Sequence, residues 1–223
     1  MPVILIVGAN RGLGLGLARE MDSRGWQVVG TARHPDRATE LKAIPGTRIE
    51  ELDMDDSAAV DGFASRLGDV PLHVLFVNAG VSGPDHRSAS QATQEEIGAL
   101  FYTNAVAPIR LARRLVGHVR PREGVVAFMS SRLGSITLTS GQHELYSASK
   151  AALNMLTRAF ATEVQGRLTV RSLHPGWVRT DMGGPEAPLD VPTSVRGLAS
   201  VIEAARGRLD HLFLDYQGEP ISW

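Results

Sequence analysis

The sequence predicts a single α/β domain over residues 1–223, a doubly wound parallel sheet of about seven strands flanked by helices. Three observations carry that expectation. Apolar runs of β-formers recur without polar alternation, as strands buried on both faces require. Segments of helical periodicity separate these runs, and strand–helix alternation implies right-handed crossovers and a parallel sheet covered on both sides. The first such run ends in a glycine-rich turn that opens a helix, at the carboxyl end of a strand where open α/β sheets bind ligands.

Val3 to Val7 is a continuous apolar run ended by Gly8 and reads as a buried strand. Leu13, Leu17, Ala18 and Met21 then recur at helical spacing, with a stop near Gly25. Gln27 to Thr31 and Thr47 to Leu52 read as the second and third strands, and Ser57 to Leu67 as the helix after them. Leu72 to Val77 is a central strand. Thr93-Gln94-Glu95-Glu96 has the form of a capping box and opens a long helix running towards Val119. Gly124 to Met129 is a fifth strand, and the helix carrying Tyr146 and Lys150 runs to about Gln165. Leu168 to Leu173, a helix from Thr193 to Ala205 and a short strand from His211 to Leu214 complete the pattern.

Composition narrows the function classes. The 223 residues are 43% hydrophobic and 21% charged, an ordinary globular balance with a sizeable core. Net charge is 23 − 24 = −1, which offers nucleic acid no basic excess. The absence of cysteine removes disulfides, thiolate metal sites and a Cys nucleophile. The seven histidines are scattered and form no metal pattern. Val3 to Val7 is too short for a signal-peptide core and no span reaches transmembrane length, so no membrane partner and a cytoplasmic location are expected.

Two stretches point to chemistry. Gly8-Ala9-Asn10-Arg11-Gly12-Leu13-Gly14 follows the first strand, where glycines let a phosphate approach and a helix N-terminus offers free N–H groups and partial positive charge. An NAD site usually has an acid about 20 residues after the glycines. Ala32 stands there, followed by Arg33. Arg11 and Arg33 together suit a 2′-phosphate, so NADP(H) is favoured, while Asp36 keeps NAD(H) possible. The second stretch is Tyr146-Ser147-Ala148-Ser149-Lys150, which puts a phenol and an ammonium on one helix face. Lys is a tunable point charge that favours phenolate over phenol, and it stands here in a chain with only two lysines. Shifting a phenol from 10 to near 7 takes about 4 kcal/mol.

Taken together, Gly8-x-x-x-Gly12-x-Gly14, Asn78-Ala79-Gly80, Tyr146-x-x-x-Lys150 and Pro175-Gly176 resemble the short-chain dehydrogenase/reductase family in order and rough spacing, across nearly the whole chain. The segment from Pro175 to Gly184 is most similar to its C-factor/sniffer-type carbonyl reductase branch. The resemblance implies a Rossmann-like fold and a cofactor site built from Gly8, Asn10, Arg11, Gly12, Leu13, Gly14, Arg33, Asp53, Asn78, Ala79, Gly80, Tyr146, Lys150, Pro175, Gly176, Val178 and Thr180. Within it, Asp53 holds the adenine amino group and the Val178 backbone meets the nicotinamide amide. It implies Ser131, Tyr146, Lys150 and Asn104 as the catalytic set.

Ser131 lies fifteen residues before Tyr146, two more than the family's usual spacing, and Ser130 and Ser135 remain alternatives. For Asn104 there is also a physical argument: Pro108, four residues on, lacks the N–H that would bond the Asn104 carbonyl, so a kink frees that carbonyl to hold a water. The implied reaction is hydride transfer between NADP(H) and a small carbonyl or alcohol substrate, with Tyr146 as acid/base and no metal. A homodimer or homotetramer is implied as well. The alternatives are a non-catalytic NADP(H)-binding regulatory or signalling protein and an NAD-linked alcohol dehydrogenase. Trp177 and the segment from Asp181 to Pro192 are expected to form a lid or an ordinary loop, and His143 is a candidate for the pocket wall.

Overall fold

The computed structural model describes residues 1–86, 88–141 and 143–223. Seven strands form one parallel sheet: β1 (Val3–Val7), β2 (Gln27–Ala32), β3 (Arg48–Glu51), β4 (Val74–Val77), β5 (Val125–Met129), β6 (Thr169–His174) and β7 (His211–Asp215). Their order is β3-β2-β1-β4-β5-β6-β7. The chain runs outward in one direction from β1 and then returns to start again at β4, so the winding reverses between these two strands. This is the doubly wound, Rossmann-like arrangement, with its ligand crevice at the carboxyl ends of β1 and β4.

The apolar runs explain the layering. Every residue of β1, β4 and β5 is buried. Alternate residues of each strand feed two separate cores. Ile4, Ile6, Val74 and Phe76 pack under α1 (Gly12–Ser23), the four-residue α2 (Thr39–Lys42) and α7 (Val191–Ala205). Leu5, Val7, Leu75 and Val77 pack under α3 (Ser57–Leu67), α5 (Ala107–Leu115) and α6 (Glu144–Glu163). On the first face α1 and α7 touch closely, since a Cβ on Gly16 would come 2.5 Å from Val191 Cγ1. Arg24 clamps the two helices by donating to Glu20 at 2.8 Å and Glu203 at 2.6 Å.

Side-chain caps fix the starts of two helices. Thr93 forms the expected capping box with Glu96 at the start of α4 (Gln94–Phe101). Asp56 caps α3, accepting from Ala58 N at 2.8 Å. The long helix expected from Thr93 to Val119 is divided: α4 passes into a π-turn over Tyr102–Val106 before α5 begins, and a 3-10 turn closes the run at Val116–His118. Pro108 cannot donate to the Asn104 carbonyl, which removes one α-helical bond at this turn, and the chain here widens by one residue. The short pieces at Pro35–Arg37, Thr39–Lys42 and Arg132–Gly134 were not anticipated, since three or four residues are too few to show periodicity.

Candidate active site

The glycine turn between β1 and α1 is packed to a degree only glycine allows. A Cβ on Gly14 would lie 2.0 Å from the Gly8 carbonyl oxygen, and Gly8 has φ +82 with Ala79 3.0 Å from its would-be Cβ. Three bonds fix the turn: Asn78 Nδ2 donates to the Gly8 carbonyl at 2.8 Å, Gly8 N donates to Thr31 Oγ1 at 3.1 Å, and Ala9 N donates to the Thr31 carbonyl at 2.8 Å. No side chain caps α1 and no acid stands in its first turn, so the N–H groups of Gly12, Leu13 and Gly14 are offered to an anion. Asn10 and Arg11 are exposed beside them.

Arg11 does not join Arg33. Its guanidinium donates to Asp181 Oδ2 at 2.7 Å, reaching the loop after β6 on the far side of β1 from β2. The physical reason is reach: Thr180, next to Asp181, lies against Gly12, 3.7 Å from where a Cβ would stand. Arg33 is exposed on a cavity of about 680 Å³ that Leu52, Asp53 and Arg66 also line; Arg66 is paired with Glu50, whereas Arg33 makes no ion pair among the described residues. Asp53 accepts from Asp55 N at 3.0 Å, and the helix-capping role falls to Asp56.

At the far end of the crevice, α6 presents one polar stripe inward. Tyr146, Lys150 and Asn154 are spaced four apart, with Ser149 and Thr157 beside them, so all face the same way. Lys150 is buried, donates to the Met129 carbonyl at 3.0 Å, and holds its ammonium 5.7 Å from the centroid of the Tyr146 ring. Ser131 lies beside the Tyr146 hydroxyl and favours its ionised form, while its own Oγ accepts from Leu133 N at 3.2 Å. Its neighbour Ser130 points the other way, donating to Asn154 Oδ1 at 2.7 Å, and Ser135 Oγ accepts from Leu138 N at 3.2 Å. Among the three serines, geometry therefore brings Ser131 to Tyr146. The chain after Ser131 begins with the 3-10 turn over Arg132–Gly134 and continues as the loop from Gly134 to Gln142; Gln142 itself is outside the described residues.

Asn104 is fully buried inside the π-turn. Its side chain accepts from Val81 N at 2.9 Å and donates to the Val81 carbonyl at 2.9 Å and to Ser149 Oγ at 3.0 Å. Gly80 is what lets the groups converge: a Cβ there would stand 3.1 Å from Asn104 Oδ1 and 3.4 Å from Lys150 Nζ. Beyond β6, Gly176 has φ +84, and Ser194 of α7 donates to the Pro175 carbonyl at 2.6 Å. Thr180 Oγ1 accepts from Gly183 N at 3.1 Å. Val178 is buried and its N–H donates to no described residue, as a nicotinamide amide would need. Trp177 is exposed and ties its ring N–H to the Gly183 carbonyl at 2.8 Å, within the loop. His143 begins α6 in a left-handed conformation.

The electrostatics differ from the sequence expectation. Burial pushes the Tyr146 hydroxyl up to about 12 although the ring is only half-buried, and Ser131 acts in the opposite direction. Burial pushes Lys150 down to about 8. Within the protein alone, desolvation therefore outweighs the attraction of Lys150 for phenolate. Several supporting residues were missed from the sequence: Thr31, Asn154, Asp181 and Ser194. Only Asn154 left a signal, its spacing of four from Lys150 on the same helix face.

The fold agrees with comparisons to known proteins. C-signal of Myxococcus xanthus is 40% identical over 167 residues, 72% of this chain and 98% of that protein. A carbonyl reductase from Pseudomonas aeruginosa PAO1, solved in complex with NADP, superposes with a TM-score of 0.93 at 42% identity, covering 100% of both chains. The carbonyl reductase Sniffer of D. melanogaster superposes at 0.89 with 34% identity, again over 100% of both. Residues 2–188 match the family described as short chain dehydrogenase, and it is to this family that the chain belongs.

Proposed function

We propose that the chain is an NADP(H)-dependent oxidoreductase that interconverts a small carbonyl compound and its alcohol, with Tyr146 as proton donor and acceptor. The observation that carries the proposal is the meeting of Ser131, Tyr146 and Lys150 beside Gly80 and Asn104 at the carboxyl ends of the strands. NADP(H), when bound, supplies or accepts the hydride. Arg33 without an acid at position 32 suits its 2′-phosphate, the uncapped start of α1 suits its pyrophosphate, and Asp53, Asn78, Ala79, Pro175, Gly176, Val178 and Thr180 complete the cradle. The NADP complex of the P. aeruginosa relative supports the same choice.

In the reductive direction Ser131 holds the substrate oxygen and Tyr146 gives its proton to that oxygen as negative charge develops there. Lys150, fixed by the Met129 carbonyl, orients the ribose end of the cofactor and replenishes the Tyr146 proton from a water held at the Asn104 carbonyl. Exposed apolar side chains at Ile136, Leu138, Trp177 and Met182, on the loops after β5 and β6, suit an apolar substituent on the carbonyl. The name of the M. xanthus relative, C-signal, favours a second reading: a signalling protein that binds the dinucleotide without turnover. A panel of aldehydes, ketones and quinones, run with NADPH and NADH side by side, separates them. Oxidation of NADPH by at least one carbonyl is expected; tight NADPH binding with no turnover across the panel supports the signalling protein instead, and preference for NADH overturns the cofactor choice.

A further inference from the structure

We infer that Ser149 is a positioning residue for proton transfer, locking the helical turn of Tyr146 and Lys150 to the π-turn of Asn104; this rests on the oxidoreductase reading above. Ser149 is fully buried in the polar stripe of α6. A serine hydroxyl has one proton to donate and lone pairs to accept with, and both capacities are used. The proton goes to the Tyr146 carbonyl at 2.7 Å, and Oγ accepts from Asn104 Nδ2 at 3.0 Å.

Those bonds decide what Asn104 can offer. With Nδ2 committed to the Val81 carbonyl and Ser149, and Oδ1 committed to Val81 N, the amide has one satisfied orientation. A flipped amide would set Oδ1 against the Val81 carbonyl and an amide nitrogen against Val81 N, so it is excluded. The side chain is thus consumed in bracing, which leaves the backbone carbonyl, deprived of its α-helical donor by Pro108, as the group of Asn104 a relay would use. Ser149 supplies the one direct side-chain hydrogen bond, among the described residues, between Asn104 and α6. Lys150 is the next residue in the chain and Tyr146 lies one turn back. A shift of the π-turn is therefore transmitted to both.

The test measures Ser149→Ala against the parent with NADPH and the best carbonyl substrate from the panel. NADPH affinity and the thermal midpoint report folding. The expected result is NADPH affinity within about twofold of parent, a kcat lower by about tenfold, and an altered pH profile of kcat; in an Asn104→Ala background the same change lowers kcat by less than about twofold, because the two residues act as one unit. A kcat and pH profile like the parent's overturn the inference, as do losses that simply add to those of Asn104→Ala. If Ser149→Ala does not fold, Ser149→Cys, of similar size but a weak donor and acceptor, carries the same comparison. A parent enzyme that turns over no carbonyl contradicts the oxidoreductase reading itself, whereas a working parent with an unaffected Ser149→Ala contradicts only the role given to Ser149.

Discussion

Burial acts in opposite directions on the two titrating groups of the site, raising the Tyr146 hydroxyl to about 12 and lowering the Lys150 ammonium to about 8. As pH rises, Lys150 therefore loses its proton first, while Tyr146 still keeps its own. Carbonyl reduction, which draws on both protons, is expected to hold steady on the acid side and fall as pH passes through about 8, measured as kcat across a pH series. A second pair of buried titrating groups acts on stability. Burial holds His174 and His211 down to about 4, and among the described residues His174 Nδ1 and both ring nitrogens of His211 lack a hydrogen-bond partner. Below 6.5 the unfolded chain takes up protons that the folded one refuses, so stability present above 6.5 is lost as pH falls towards 4. For His174 the loss between pH 7 and 5 is expected to be about 2 kcal/mol, and His174→Gln should remove that part from the slope of urea-unfolding stability against pH. None of these shifts is visible in a sequence, because desolvation depends on neighbours brought in from β5, β7 and α6.

Elements whose cause is local were readable in advance; those whose cause is tertiary were not. The start of α4 at Thr93 and the span of α3 follow from caps and periodicity a few residues long. The kink at Asn104 was read from Pro108, but its form as a π-turn was not, since widening instead of bending depends on the Asn104 side chain finding Val81 and Ser149. Pro108→Ala restores the missing N–H and should let Tyr102–Val106 relax towards an α-helix. Thermal stability is expected to stay level or rise while kcat drops by about tenfold, at or below the low end of what a placed proton-transfer group contributes. Unfolding and steady-state kinetics on the same preparation check both halves.

Across the whole molecule, the continuous apolar runs fixed the strand positions within one or two residues, and the parallel order followed from the helices between them. The cofactor crevice was legible for the same reason: its position is set by where β1 and β4 end, and glycines with contacts such as 2.0 Å at Gly14 leave a mark in sequence. The pairing of Arg11 with Asp181 was not legible, because proximity to the glycine turn says nothing about a residue 170 positions away. Choosing among Ser130, Ser131 and Ser135 needed the fold as well, since they differ only in where their hydroxyls point. The most direct test of the central claim is Tyr146→Phe, compared with parent for NADPH binding and carbonyl turnover. NADPH affinity within about twofold of parent and a loss of at least about 100-fold in kcat/KM are expected, the scale of a general acid removed from a working site. Turnover within a few-fold of parent would show that the proton comes from elsewhere and contradict the account.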